Sequence, residues 1–234
     1  MKKVLMFILS LPATVVFNFR YLPFHQAIKL PVILYKPTIN KLRGTIEINS
    51  KNIKFGMIKL GVHSVSIFPN TGFIFENLGG KIVFNGNVVI GSNSSISVGE
   101  KGRLEFGHDI VATSGLKLVC YHYVRVSDLV RFGWDCMIMD TGFHPLKDRD
   151  TAKFIDKAYG PIILGKNNWF ANGVLIMKNT RTVDYSIFGA RSVLTKFYDV
   201  PEFSLLVGSP PKVVRNNIYR DMYDCTEVYV EYLG

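Results

Sequence analysis

Among the five histidines of the chain, His144 has the surroundings of a working base. Imidazole titrates at about pH 6.5, so the neutral ring that can take a proton from a hydroxyl is well populated at pH 7. Pro145 restricts the backbone immediately after it and helps to aim the ring. Asp140, four residues upstream, admits two readings. Its carboxylate could hold the imidazole tautomer or bind a hydroxyl, or it could cap the turn beside Thr141 and Gly142. His25, His63, His108 and His122 read as surface or satisfied polar positions. His122 and His144 lie 22 positions apart, no HxxxxH occurs, and Cys120, Cys136 and Cys225 show no CxxC spacing, so no metal site is expected.

The elements that must hold these groups appear as a rhythm of six. From Leu164 an apolar or small residue recurs at Phe170, Ile176, Thr182, Phe188 and Leu194, and four positions after successive leaders stand Asn168, Val174, Thr180, Ser186 and Ser192. No amphipathic helix has that period, whereas a flat strand, a turn and another strand do. The rhythm runs upstream with interruptions through Phe84, Ile90, Ile96, Phe106, Ala112, Val126, Phe132 and Ile138. One repeat cannot bury its own face, so the leaders are expected to stack into one inward column over many coils.

Three stretches depart from it. Residues 1–44 form an apolar and basic N-terminal segment, in which Met1-Lys2-Lys3 and the run Val4 to Leu11 imitate the start of a signal peptide. Pro12 breaks the run, no clear cleavage site follows, and the run is shorter than the ~20 apolar residues needed to cross a bilayer. The expectation is a retained segment, buried or touching a membrane, with a targeting role as the alternative. Coils are expected over 45–200, with a polar loop extruded at 142–160, and a tail at 201–234 that could include a short helix. Phe197-Tyr198 reads as a two-residue insertion.

Composition narrows the partners. With 48% hydrophobic residues in 234, the chain is no disordered tail, and 28 Lys and Arg against 18 Asp and Glu give a net charge of +10. Such a balance suits nucleic acid, an acidic membrane surface or a phosphorylated ligand. Nucleic acid is disfavoured, because no basic run exceeds Lys2-Lys3. Three unpatterned cysteines favour a reducing, cytoplasmic compartment.

The segments Leu164-Gly165-Lys166-Asn167-Asn168-Trp169-Phe170-Ala171, Ile187-Phe188-Gly189-Ala190-Arg191-Ser192-Val193-Leu194-Thr195-Lys196 and Val207-Gly208-Ser209-Pro210-Pro211-Lys212-Val213-Val214-Arg215 resemble the C-terminal end of the hexapeptide-repeat acyltransferases. That family includes the maltose, galactoside and nodulation-factor O-acetyltransferases. Upstream, Phe132-Gly133-Trp134-Asp135 and Met139-Asp140-Thr141-Gly142-Phe143-His144-Pro145 resemble the segment that carries the family's catalytic histidine. The likeness covers roughly residues 80 to 216.

The resemblance implies an all-β, left-handed parallel β-helix and a homotrimer whose adjacent subunits form the donor cleft. It implies His144 as general base, direct attack of a hydroxyl on a thioester, and acetyl-CoA as donor with no metal. It carries the donor site onto Asn172, Ala190, Thr195, Lys196 and Arg215. Chemistry agrees: small residues admit the pantetheine arm, Thr195 offers a hydroxyl, and Lys196 and Arg215 offer charge to phosphate. By the same resemblance an acceptor contact falls near Ser114, where the family carries Asn. Trp134 could stack on a sugar face or pack between subunits. The implied activity is O-acetylation of a saccharide, part of a surface polysaccharide or its lipid-linked precursor, in the cytoplasm or at the inner face of the membrane with peripheral membrane contact. An amino-sugar N-acetyltransferase and a non-catalytic β-helix scaffold are the alternatives. The three histidines of a γ-type carbonic anhydrase, which uses the same coil, are absent.

Overall fold

Strands of two to six residues with one or two inward side chains apiece can bury those side chains only if the chain winds so that successive copies stack. The computed structural model, which describes residues 2–221 with side chains from residue 8 onward, shows that winding. Three sheets of parallel neighbours form the faces of a prism, and each coil visits face one, face two and face three in turn. The first coil comprises Val32–Leu34, Pro37–Leu42 and Thr45–Ile48, so coils reach back beyond the expected boundary at 45. Six more complete coils follow before Leu205–Gly208 adds a last strand to face one.

The hexad leaders are the inward residues. On face one, Leu60, Ile90, Ala112, Phe132, Phe170, Phe188 and Leu206 are in register. On face two the ladder is Phe75, Ile96, Leu118, Ile138, Ile176 and Leu194. All of these are essentially inaccessible. Phe132, Phe170 and Phe188 stack nearly parallel, with centroids 5.2 and 5.1 Å apart. Each such side chain contributes about 1.5–3 kcal/mol by leaving water. Gly165 shows why corners tolerate so little: a Cβ there would lie 2.5 Å from the Val183 carbonyl oxygen.

Several expectations are corrected. The 20-residue helix α1 (Lys2–Tyr21) runs through Pro12, and the short α2 (Phe24–Ala27) follows it. Pro12 is solvent-exposed, so the carbonyl four residues before it can turn to water. Phe197–Tyr198 is no insertion. It pairs with Arg181–Thr182 as the face-three strand of its coil, with Tyr198 rather than Val200 taking the inward place opposite Thr182. The tail is not helical where it is described: Pro211–Arg215 doubles back antiparallel to Leu205–Gly208. The remainder of the tail, 222–234, lies outside the described residues. The loop at 142–160 does leave the coil, between Met137–Met139 and Ile162–Leu164, and antiparallel bridges Thr141–Tyr159 and Lys147–Phe154 make it an arm.

Candidate active site

In the coils that carry the cleft, the corner that leads from face one to face two is formed by the repeat. In consecutive coils it presents Trp134 and Asp135, then Asn172 and Gly173, then Ala190 and Arg191, which with Leu175 line a concavity of about 680 Å³. Asp135 and Arg191 take left-handed backbone conformations, φ 55° and 58°, which turn the chain sharply onto face two. Gly133 keeps this column tight, since a Cβ would come within 2.7 Å of Asn172 Oδ1. That oxygen accepts a hydrogen bond from the Trp134 backbone N–H at 3.3 Å. Cys136, just behind, is buried, and burial pushes its thiol up to about 11, so it stays a neutral packing group.

Two contributors to this corner escaped the sequence reading. The segment 63–72 is a second excursion, and Phe68 packs on the Trp134 indole with ring centroids 5.3 Å apart. His63 Nε2 lies 3.2 Å from the Phe68 carbonyl oxygen, and Ser64 Oγ donates to the Thr113 carbonyl at 3.2 Å, so both tie this excursion down. Its only signal was the broken rhythm before residue 80. Arg191 brings a cation to the cleft; it stood inside a quoted motif without a role.

The corner from face two to face three carries the other half of the expected site. The arm begins there, and exposed His144 stands near its base. Phe143, at φ 59°, sets its ring edge-on to Tyr121 with centroids 4.9 Å apart, and its N–H donates to Thr141 Oγ1 at 3.0 Å. The returning strand is held by Tyr159 stacked on His122 at 3.5 Å and by Lys178 Nζ donating to Asp156 at 2.9 Å. Among the described residues no side chain hydrogen-bonds the His144 imidazole. Thr195 and Lys196 lie at this same corner two coils further on. The Thr195 N–H donates to the Tyr198 hydroxyl at 3.4 Å, and the Lys196 ammonium sits 5.8 Å from the Tyr198 ring centroid.

Asp140 and Ser114 take structural places. Both Asp140 oxygens are spent on the coil below: Oδ1 accepts from the Tyr121 N–H at 2.9 Å, and Oδ2 from His122 and Tyr123 at 2.7 and 2.8 Å. It is wholly buried, and the turn it caps is 121–123 of the coil below rather than its own turn beside Thr141 and Gly142. Ser114 is buried and donates to the Ser92 carbonyl at 2.9 Å, which leaves no hydroxyl for an acceptor. Arg215 is exposed on the outer strand, opposite Leu205 at the far side of face one. Ala190 and Thr195 flank the two-residue face-two strand Val193–Leu194, one at each of its corners. No single cleft of one chain therefore holds the whole donor set.

A parallel prism of three-hexad coils with one arm thrown from a corner is the left-handed β-helix of hexapeptide repeats. The polySia-specific acetyltransferase NeuO shares that fold, with a TM-score of 0.50 and 20% identity over 85% of this chain and 99% of its own. Sequence relatives are acetyltransferases: a putative acetyltransferase of Staphylococcus aureus (strain COL) is 43% identical over 75 residues, 32% of this chain and 36% of its own length. The galactoside O-acetyltransferase of Escherichia coli (strain K12) is 28% identical over 121 residues, 52% of this chain and 58% of its own. The match thus spans about a third of the length of the first relative and rather more than half of the second. No protein-family model matches the chain. Homologues and structural neighbours alike are hexapeptide-repeat acetyltransferases.

Proposed function

We propose that the protein is an acetyl-CoA-dependent O-acetyltransferase acting on a sugar hydroxyl, of a surface polysaccharide or its lipid-linked precursor, at the cytoplasmic face of a membrane. The observation that carries this reading is the division of the expected groups between the two corners flanking face two: Trp134, Asn172, Ala190 and Arg191 at one, His144, Thr195 and Lys196 at the other. A cyclic homotrimer sets one corner of each copy against the other corner of its neighbour, and three equal clefts result.

In such a cleft the His144 imidazole takes the proton from the acceptor hydroxyl as its oxygen attacks the thioester carbonyl. The C–S bond then breaks and the coenzyme leaves as its thiol, protonated by the His144 imidazolium. Ala190 leaves the backbone open to the pantetheine arm, and Arg191, Lys196 and Arg215 meet the phosphates. Trp134, steadied by Phe68, offers a flat face to the sugar. Asp140 holds the coil beneath the arm and so positions His144 without touching substrate.

Mixing two inactive variants tests both the chemistry and the shared cleft. His144→Ala is expected to lower kcat by roughly 10²–10⁴-fold, and Ala190→Trp to block donor binding. Co-refolded from an equal mixture, the two should regain roughly a quarter of wild-type activity, because that fraction of clefts draws an intact half from each parent. No recovery in trimers shown by mass to be mixed would overturn the shared cleft. Full activity of His144→Ala alone would overturn the base.

A further inference from the structure

Helix α1 is built inside out. Along its inner side Ser10, Thr14 and Asn18, spaced by four, are buried. They meet the otherwise unpaired edge of the first coil: Lys36 N–H donates to Ser10 Oγ at 3.0 Å, Leu34 N–H to Thr14 Oγ1 at 3.1 Å, and Val32 N–H to Asn18 Oδ1 at 3.1 Å. Asn18 Nδ2 returns a bond to the Val32 carbonyl at 2.7 Å. A polar stripe thus replaces the missing neighbouring strand and closes an edge that would otherwise recruit another chain.

At 100° per residue the opposite side carries Ile8, Pro12, Val15, Val16 and Phe19, and these point to solvent. Leu9 is 72% exposed and Phe19 47%. Phe24 and Ile28 extend the patch, with Phe24 72% exposed and its ring set against Phe19 at 6.0 Å. A cap needed only to close the coil would present polar groups outward.

Charge says what covers the patch. Residues 1–46 hold seven Lys and Arg and no Asp or Glu, so the other 188 residues, with 21 against 18, supply only +3 of the +10. Arg20 and Lys29 are exposed beside the apolar stripe. No helix among the described residues is long and apolar enough to cross a membrane. An apolar face bordered by cations and free of anions suits the interface of an anionic bilayer.

We propose that the outer face of α1 with α2 beds into the surface of an anionic lipid bilayer, and that the coil stands on the membrane by this end. This deepens the membrane location proposed above by naming the surface, and it is read without donor or acceptor, so its failure and the failure of the acyltransferase reading are distinguishable. The test is co-flotation of the full chain with vesicles of phosphatidylcholine containing phosphatidylglycerol, and with phosphatidylcholine alone. Binding is expected on the anionic vesicles, weakened at least tenfold by 0.5 M salt or by omitting phosphatidylglycerol. Leu9→Gln/Val16→Gln/Phe19→Gln, three outward changes expected to keep the wild-type Tm, should cut binding at least tenfold. Arg20→Gln/Lys29→Gln should cut it less. Absence of vesicle binding overturns the proposal, as does binding that the triple variant leaves intact. A patch that instead mediates self-association would show as a triple variant of lower mass without vesicle binding by the parent, and that too overturns it.

Discussion

The two corners flanking face two obey different rules. The first is set mainly by the repeat, with one excursion, 63–72, reaching Trp134 through Phe68: Asn172 is locked to the Trp134 backbone, and Arg191 is turned by its own left-handed φ. The second is interrupted by an arm, and His144 owes its place to three attachments at the arm's base: Phe143 on Tyr121, Tyr159 on His122, and Asp156 on Lys178. A binding groove can be as rigid as the solenoid. The base it serves stands on a segment whose order rests on a few contacts, which concentrates local mobility where the chemistry is proposed.

Removing the deepest support under the arm should have the largest effect. Asp140→Ala leaves three backbone N–H groups of the coil below without acceptors, each costing about 1–3 kcal/mol. A total on the order of 3–9 kcal/mol lowers Tm by roughly 10 °C or more in a chain of this size. Asp140→Asn, which keeps one acceptor oxygen, should lose less. An unchanged Tm together with a displaced pH–rate profile would instead make Asp140 the partner of His144 and erase the contrast between the corners.

The second effect lies at the other corner. Trp134→Ala removes the flat surface without unpacking the coil, since the indole is only half-buried. Acceptor KM should rise about tenfold, near the upper end of one aromatic contact, with kcat within about twofold. Phe68→Ala, acting through the indole, should give a smaller rise in the same parameter. A fall in kcat at constant KM would show that this corner also positions the arm.

How readable this contrast was depends on the periodicity. Where a hexad repeats, position in sequence is position in space, so Phe132, Phe170 and Phe188 could be assigned to one inward column before any coordinates. Asn172 and Ala190, singled out by the resemblance, fall on one corner of the structure. What escaped was set by contacts without a period: Phe68 reaching Trp134 from a loop, and Asp140 binding amides 17 to 19 residues back. The facing of helix α1 escaped for a related reason: Ser10, Thr14 and Asn18 are buried because a strand edge needs their hydrogen bonds, and that contact has no period in the sequence.

The smallest effect concerns the arm's own fastening. The hydrogen bond from Lys178 and that from the Lys157 N–H hold the Asp156 carboxyl below its ordinary value of 3.8. A carboxyl depressed in the folded state stabilises it above the unfolded pKa and loses that contribution as pH falls through the folded one. The fastening should therefore be intact at pH 5 and loosen below about pH 4, with the coils unaffected. Asp148, depressed by Thr151 at the tip, titrates in the same window, so pH alone does not separate them. Lys178→Met does, because it removes the partner of Asp156 and leaves the tip intact. Hydrogen exchange at residues 154–158 should accelerate severalfold between pH 5 and pH 3, after correction for the intrinsic rate, in the parent but not in Lys178→Met, which should already exchange fast at pH 5. Equal protection in both proteins would show that the Lys178–Asp156 pair does not fasten the returning strand, leaving that to the aromatic contacts and the Thr141–Tyr159 bridge, and would shift the expected mobility to the tip.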